Sequence, residues 1–116
     1  MSKIIQAIGA IAMLTLSTNP GSAGDIQTIN PPELYAPAPN GYSHAMIADS
    51  FVFLAGQGGE NQHGDLAPKF EAQVAQAYQN LTTALEAAGA RADQVIKLTT
   101  YVVDHDEAKL AVLTRQ

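Results

Sequence analysis

The stretch from Pro68 to Ala88 constrains this chain more than any other. Phe70, Val74, Ala77, Leu81, Leu85 and Ala88 recur at spacings of three or four residues, which places them in one apolar stripe along an α-helix. Pro68 suits the first turn, where its missing N–H costs nothing, and Gly89 suits the position just past the end, where φ turns positive. Glu71, Gln76, Gln79 and Glu86 fall away from the stripe or at its edge.

The residues flanking this helix have the period of strands. Ser43 to Ala48 and Phe51 to Ala55 are short apolar segments separated by Asp49-Ser50, and a two-residue polar break between β-prone runs predicts a hairpin. Gly56 to Asp65 is a glycine-rich loop. After the helix, Gln94 to Val103 predicts a strand: Ile96, Leu98, Thr100 and Val102 fall on one face, Val95, Lys97, Thr99, Tyr101 and Val103 on the other. Both faces are partly apolar, as in a central strand or one covered by a partner subunit. Asp104 as N-cap, with Glu107 three residues on, resembles a capping box and opens a second helix through Ala108, Leu110, Ala111, Val112 and Leu113. Upstream, Pro31, Pro32, Pro37, Pro39 and Asn40-Gly41 mark an extended lead-in, and Ile26 to Ile29 reads as a short edge strand.

Residues 1–23 have the three-part pattern of a secretory signal peptide: Lys3, the apolar run Ile4 to Leu16, then a polar break with Gly21 and Ala23 spaced for cleavage. The apolar run is shorter than the ~20 residues of a membrane span, so no stable membrane anchor is expected. The expectation is a secreted or periplasmic protein whose folded domain occupies residues 24–116. The chain has no cysteine, hence no disulfide, thiol nucleophile or cysteine metal site. Six basic residues against eleven acidic ones give a net charge of −5, which weighs against nucleic acid as a partner.

The run Phe51-Val52-Phe53-Leu54-Ala55-Gly56-Gln57-Gly58-Gly59 raises the question of a phosphate loop. Such a loop leads directly into a helix N-terminus, but here Gly59 to Ala67 intervenes, and a nucleotide loop is rejected. His44, His63 and His105 fall on a strand, a loop and a helix cap without metal-ligand spacing, so neither metal nor cofactor is expected. His105 beside Asp104 and Asp106 could be drawn as a general-base pair, but solvated helix capping explains the cluster better. Asn80-Leu81-Thr82 matches a glycosylation sequon by chance, since it lies within the helix beside Leu81.

The words Gly41-Tyr42-Ser43-His44-Ala45-Met46, the Phe51–Gly59 run, Asn80 to Ala90 and Gln94 to Asp104 together resemble the Rid/YjgF family, the reactive intermediate deaminases or L-PSP endoribonucleases. The resemblance covers roughly residues 26–113. It implies an α+β, chorismate-mutase-like fold: a mixed sheet with two helices on one face, here with its last strands missing, assembling as a homotrimer with pockets between subunits. Family members that are enzymes hydrolyse 2-imino or enamine acids, such as 2-iminobutanoate and 2-iminopropanoate, to 2-keto acids and ammonia. An arginine holds the carboxylate, and a glutamate with backbone carbonyls orients the attacking water.

By this resemblance Tyr42, Gly56 and Gln57 are the residues of this chain expected at the pocket, whose ligand would be a small carboxylate or imino acid. The family's arginine and glutamate fall beyond Gln116. Arg115 precedes the position where that strand would begin and is not assigned the role, so no catalytic residue is named. A non-enzymatic, metabolite-binding trimer of the same fold, or an inactive truncated product, are the alternative readings.

Overall fold

The structure is a computed structural model and describes residues 24–116; the expected signal peptide lies outside the described residues. Three strands, β1 (Gln27–Ile29), β2 (Ala45–Ala48) and β3 (Phe51–Leu54), form an antiparallel sheet in sequence order. The hairpin forms as the polar break predicts: Ala48 pairs with Phe51 across Asp49-Ser50. Asp49 takes a φ of 53°, a left-handed conformation that aspartate tolerates better than most residues. In β3, Val52 and Leu54 are half-buried while Phe51 and Phe53 lie exposed on the opposite face, as strand alternation requires.

The helix α1 (Phe70–Ala87) packs on β3. It begins two residues later than the proline expected in its first turn, with Lys69 as N-cap and no side chain bonding the first free N–H groups. Its end matches the expectation. Gly89 has a φ of 75°, its N–H donates to Glu86 O, and Ala90 N–H donates to Leu85 O at 3.0 Å, the paired bonds of a Schellman motif. Val74, Ala84 and Leu85 are the buried apolar residues of this helix, and they join Leu34, Ala45 and Val112 in a small core.

The second helix, α2 (Glu107–Leu113), packs against α1 and buries Val112. Its N-cap is Asp106, whose Oδ1 accepts from Lys109 N at 2.8 Å, and not Asp104 as the spacing to Glu107 implied. Asp104 instead adopts a φ of 49° in the preceding turn, which takes it out of capping range. Lys109 Nζ closes that turn by donating to Val103 O and Asp104 O, and sits 5.6 Å from the centre of the Phe70 ring.

The largest departure concerns the strand expected over Gln94–Val103. Ala92–Gln94 is a 3₁₀ turn, and residues 95–102 form no β-ladder with any described residue. An open cleft of about 1050 Å³ separates this segment from β3 and from the apolar side of α1, including Val74, Tyr78 and Leu81. A ladder needs strands within about 4.8 Å of one another, so the cleft itself prevents pairing. Ile96, Tyr101 and Val103 are consequently 88%, 93% and 83% exposed. For the same reason the described sheet is wholly antiparallel, where a mixed sheet was expected.

Candidate functional site

Two glycine positions determine how the loop after β3 is laid down. At Gly59 a Cβ would come within 2.7 Å of Gln73 O and 2.8 Å of Gln73 Cα, so only glycine lets the loop lie directly on the backbone of α1. Further on, the Asn61 side chain organises the turn by accepting from His63 N and Asp65 N, both at 2.9 Å, and an isolated bridge joins Glu60 to Leu66.

Asn80 fixes the loop to the helix. Its Nδ2 donates to Gly58 O at 3.0 Å and to Glu60 O at 2.8 Å, and its Oδ1 accepts from Gln76 Nε2 at 2.9 Å. Each of these side-chain atoms is thus hydrogen-bonded, in keeping with the burial of Asn80. Sequence reasoning placed Asn80 only within a chance sequon. A buried asparagine on a helix facing a glycine loop is the signal it left unread.

The second fixed group is His44, just before β2, which is 3% exposed. Its Nε2 lies 2.8 Å from Tyr35 O and its Nδ1 lies 3.2 Å from Gln57 Nε2. Gln57 Nε2 also donates to Ala55 O at 3.1 Å, so it is the amide nitrogen of Gln57 that faces His44. A carbonyl on one side and a donor on the other select one imidazole tautomer, with the proton on Nε2 and the lone pair on Nδ1. Ala55 N–H closes the unit by donating to His44 O at 2.9 Å. The edge of the Tyr42–His44 ring pair is set in the same place, with centroids 5.5 Å apart and planes at 84°.

These contacts shape a hollow of about 470 Å³ bounded by Tyr35, Tyr42, His44, the Gly56–Gly58 turn, Glu60 and Asn80. Tyr42, Gly56 and Gln57, the three residues singled out from the sequence, therefore line one hollow. Tyr35, His44, Glu60 and Asn80 were not foreseen as parts of it. Gly56 is exposed, and a Cβ there would meet open space. Among the described residues, the backbone N–H and C=O groups of Gly56 and Gln57 have no hydrogen-bond partner, so this turn keeps its polar groups for something outside the chain.

Neither described arginine reaches the hollow. Arg91 pairs with Asp93 at 3.0 Å on the surface, and Arg115 Nε donates to Ala111 O. His63 and His105 also lie away from it, and no cluster of three or more His, Asp or Glu able to hold a metal occurs among the described residues. No helix among them is long and apolar enough to cross a membrane.

The profile of the endoribonuclease L-PSP family matches residues 34–115, which takes in the hollow, both helices and the sheet beyond β1. The chain belongs to this family, the Rid/YjgF group. Among curated relatives, a RutC family protein of Aquifex aeolicus is 39% identical over 71 residues, covering 60% of this chain and 57% of its own. The RutC family protein YjgH of Escherichia coli is 33% identical over 73 residues, covering 63% and 56%. The chain thus spans a little over half the length of these relatives.

Solved structures agree on the fold. RidA from the Antarctic bacterium Psychrobacter superimposes with a TM-score of 0.63 at 32% identity, over 77% of this chain and 71% of that one. A Rid family protein, YyfB from Yersinia pestis, gives a TM-score of 0.53 at 37% identity, over 78% and 71%. The three-stranded sheet with its two helices is accordingly a Rid/YjgF fold.

Proposed function

We propose that this chain forms one wall of the substrate pocket of a Rid-type protein, which in its full-length form hydrolyses 2-imino or enamine acids to 2-keto acids and ammonia. The observation that carries this reading is the juxtaposition of Tyr42 with the Gly56–Gln57 turn, whose backbone groups are unpartnered at an open hollow. An imine carbon is already electrophilic, so holding substrate and water in place can supply much of the rate acceleration. The grip on a carboxylate and the orientation of the water then fall to groups outside the described hollow, because no arginine or lysine lines it.

The sheet face that carries Phe51 and Phe53, 56% and 61% exposed, supports assembly with further copies, for which a homotrimer is the proposed state. The sequence pattern of residues 1–23 supports export to the periplasm or medium. The family's descriptive name includes an endoribonuclease, but the net charge of −5 and a hollow without basic residues weigh against RNA as the substrate.

The test is ammonia release from 2-iminopropanoate. A form of the chain extended to its relatives' full length should release ammonia saturably, and the 116-residue chain should not. Turnover by the 116-residue chain alone would refute the assignment of the carboxylate grip and water orientation to groups outside it. An extended form that binds 2-imino acid without turnover would establish the second reading, a metabolite-binding protein, which the absence of a cation at the hollow favours.

A further inference from the structure

The hollow has a polarity of its own. Glu60 is the one acidic residue on its wall, and neither lysine nor arginine lines it. The Glu60 side chain is exposed and makes no ion pair or hydrogen bond among the described residues. It is seated over the turn because residue 58 is glycine, where a Cβ would collide with Glu60 Oε2. A negative charge is therefore held against the same backbone that lines the hollow, with no positive partner from the protein.

Two aromatic rings complete the pattern. Tyr35 and Tyr42 are 39% and 38% exposed, and both border the hollow. The Tyr35 ring is seated on Gly64, where a Cβ would come within 2.9 Å of its Cε2, and the Tyr42 ring is held by its edge contact with His44. Neither hydroxyl has a hydrogen-bond partner among the described residues. Tyrosine faces carry the negative side of the ring quadrupole and attract cations. Carboxylate, ring faces and hydroxyl oxygens all favour a positively charged hydrogen-bond donor. An anion at this wall would meet the same groups and no counter-charge.

We infer that this wall of the hollow binds a primary ammonium or iminium group, with Glu60 as its counter-ion and Tyr35 and Tyr42 as its aromatic sides. The inference rests on the reading of the hollow as the substrate pocket, and it specifies which end of the substrate this wall receives. In a 2-imino acid it is the nitrogen end, and the carboxylate points away toward groups that this wall does not contain.

The experiment titrates n-propylammonium, propionamide and propionate separately into the purified chain at low ionic strength, following the backbone amide resonances of Gly56, Gln57 and Gly58. Propylammonium should shift these resonances saturably, more tightly than neutral propionamide, and propionate should not. Glu60→Gln should weaken propylammonium about three- to tenfold and leave the melting temperature unchanged, as an exposed site allows. Added salt should weaken it further. Equal or tighter binding of propionate or propionamide at these amides, or full affinity in Glu60→Gln, would overturn the assigned polarity while leaving the pocket in place. Failure of all three probes to move these amides would overturn the pocket reading and the inference with it.

Discussion

Asn80 holds Gly58 across a separation of 22 residues: its Nδ2 donates to Gly58 O at 3.0 Å from the middle of α1. The same nitrogen reaches Glu60 O, so one buried amide determines the path of the loop that borders the hollow. The relation joins a helix to a glycine-rich loop whose own side chains could not fix it.

Asn80→Ala should therefore destabilise the fold by about 1–3 kcal/mol, since it leaves two loop carbonyls without a donor in a buried place. Asn80→Asp should cost more, because it sets a carboxylate against those two carbonyls. Urea unfolding with an unchanged slope would report both losses as lower midpoints. Wild-type midpoints in both variants would show that the loop path does not depend on this amide.

The arrangement around His44 makes a spectroscopic prediction. With Tyr35 O against Nε2 and Gln57 Nε2 against Nδ1, the neutral ring should carry its proton on Nε2. Long-range nitrogen–proton correlation spectra should show Nε2 as the protonated nitrogen and Nδ1 as the acceptor. Replacing Gln57 by Leu should remove that bias and leave the ring's second nitrogen unpaired, at a cost of about 1 kcal/mol. Observation of the opposite tautomer in the wild type would contradict the geometry.

Gly59 and Gly56, three residues apart in the same turn, should respond in opposite ways to alanine. At Gly59 the added carbon meets the Gln73 backbone, which cannot give way cheaply, and a loss of about 1–3 kcal/mol is expected. At Gly56 it meets open space, so the melting temperature should hardly change. Because Gly56 lines the hollow, that variant should instead weaken ligand binding there. Thermal melting of the two variants side by side distinguishes them, and equal melting temperatures would sink the argument.

What the sequence revealed of this molecule was what depends on neighbours along the chain. The stripe of α1, the turn at Asp49-Ser50 and the stop at Gly89 follow from local periodicity, a polar break and a positive φ, and each is legible without a structure. Tyr42, Gly56 and Gln57 were reached through the likeness of their surrounding words to a family, since no local rule marks them. His44 and Asn80 escaped because their partners lie 9 to 22 residues away, and a polar residue's burial depends on such distant groups. The capping assignment failed because Asp104 and Asp106 both offer a carboxylate near the same turn, and the choice between them is made by the backbone at 104.

Residues 95–102 provide the last prediction. Their alternating pattern is that of a strand, yet they are extended chain beside a cleft, and the outer edge of β3 across that cleft is also unpaired among the described residues. Two unpaired edges with exposed Ile96, Leu98 and Tyr101 are a template for pairing with other chains. The purified chain should therefore self-associate open-endedly, with a sedimentation coefficient that climbs with concentration. Ile96→Lys together with Tyr101→Lys should suppress that growth. These positions are 88% and 93% exposed, so the pair should change stability by no more than about 0.5 kcal/mol each. A monodisperse trimer that melts cooperatively, in wild type and variant alike, would show that both edges are already covered in the assembly and that the prediction is wrong.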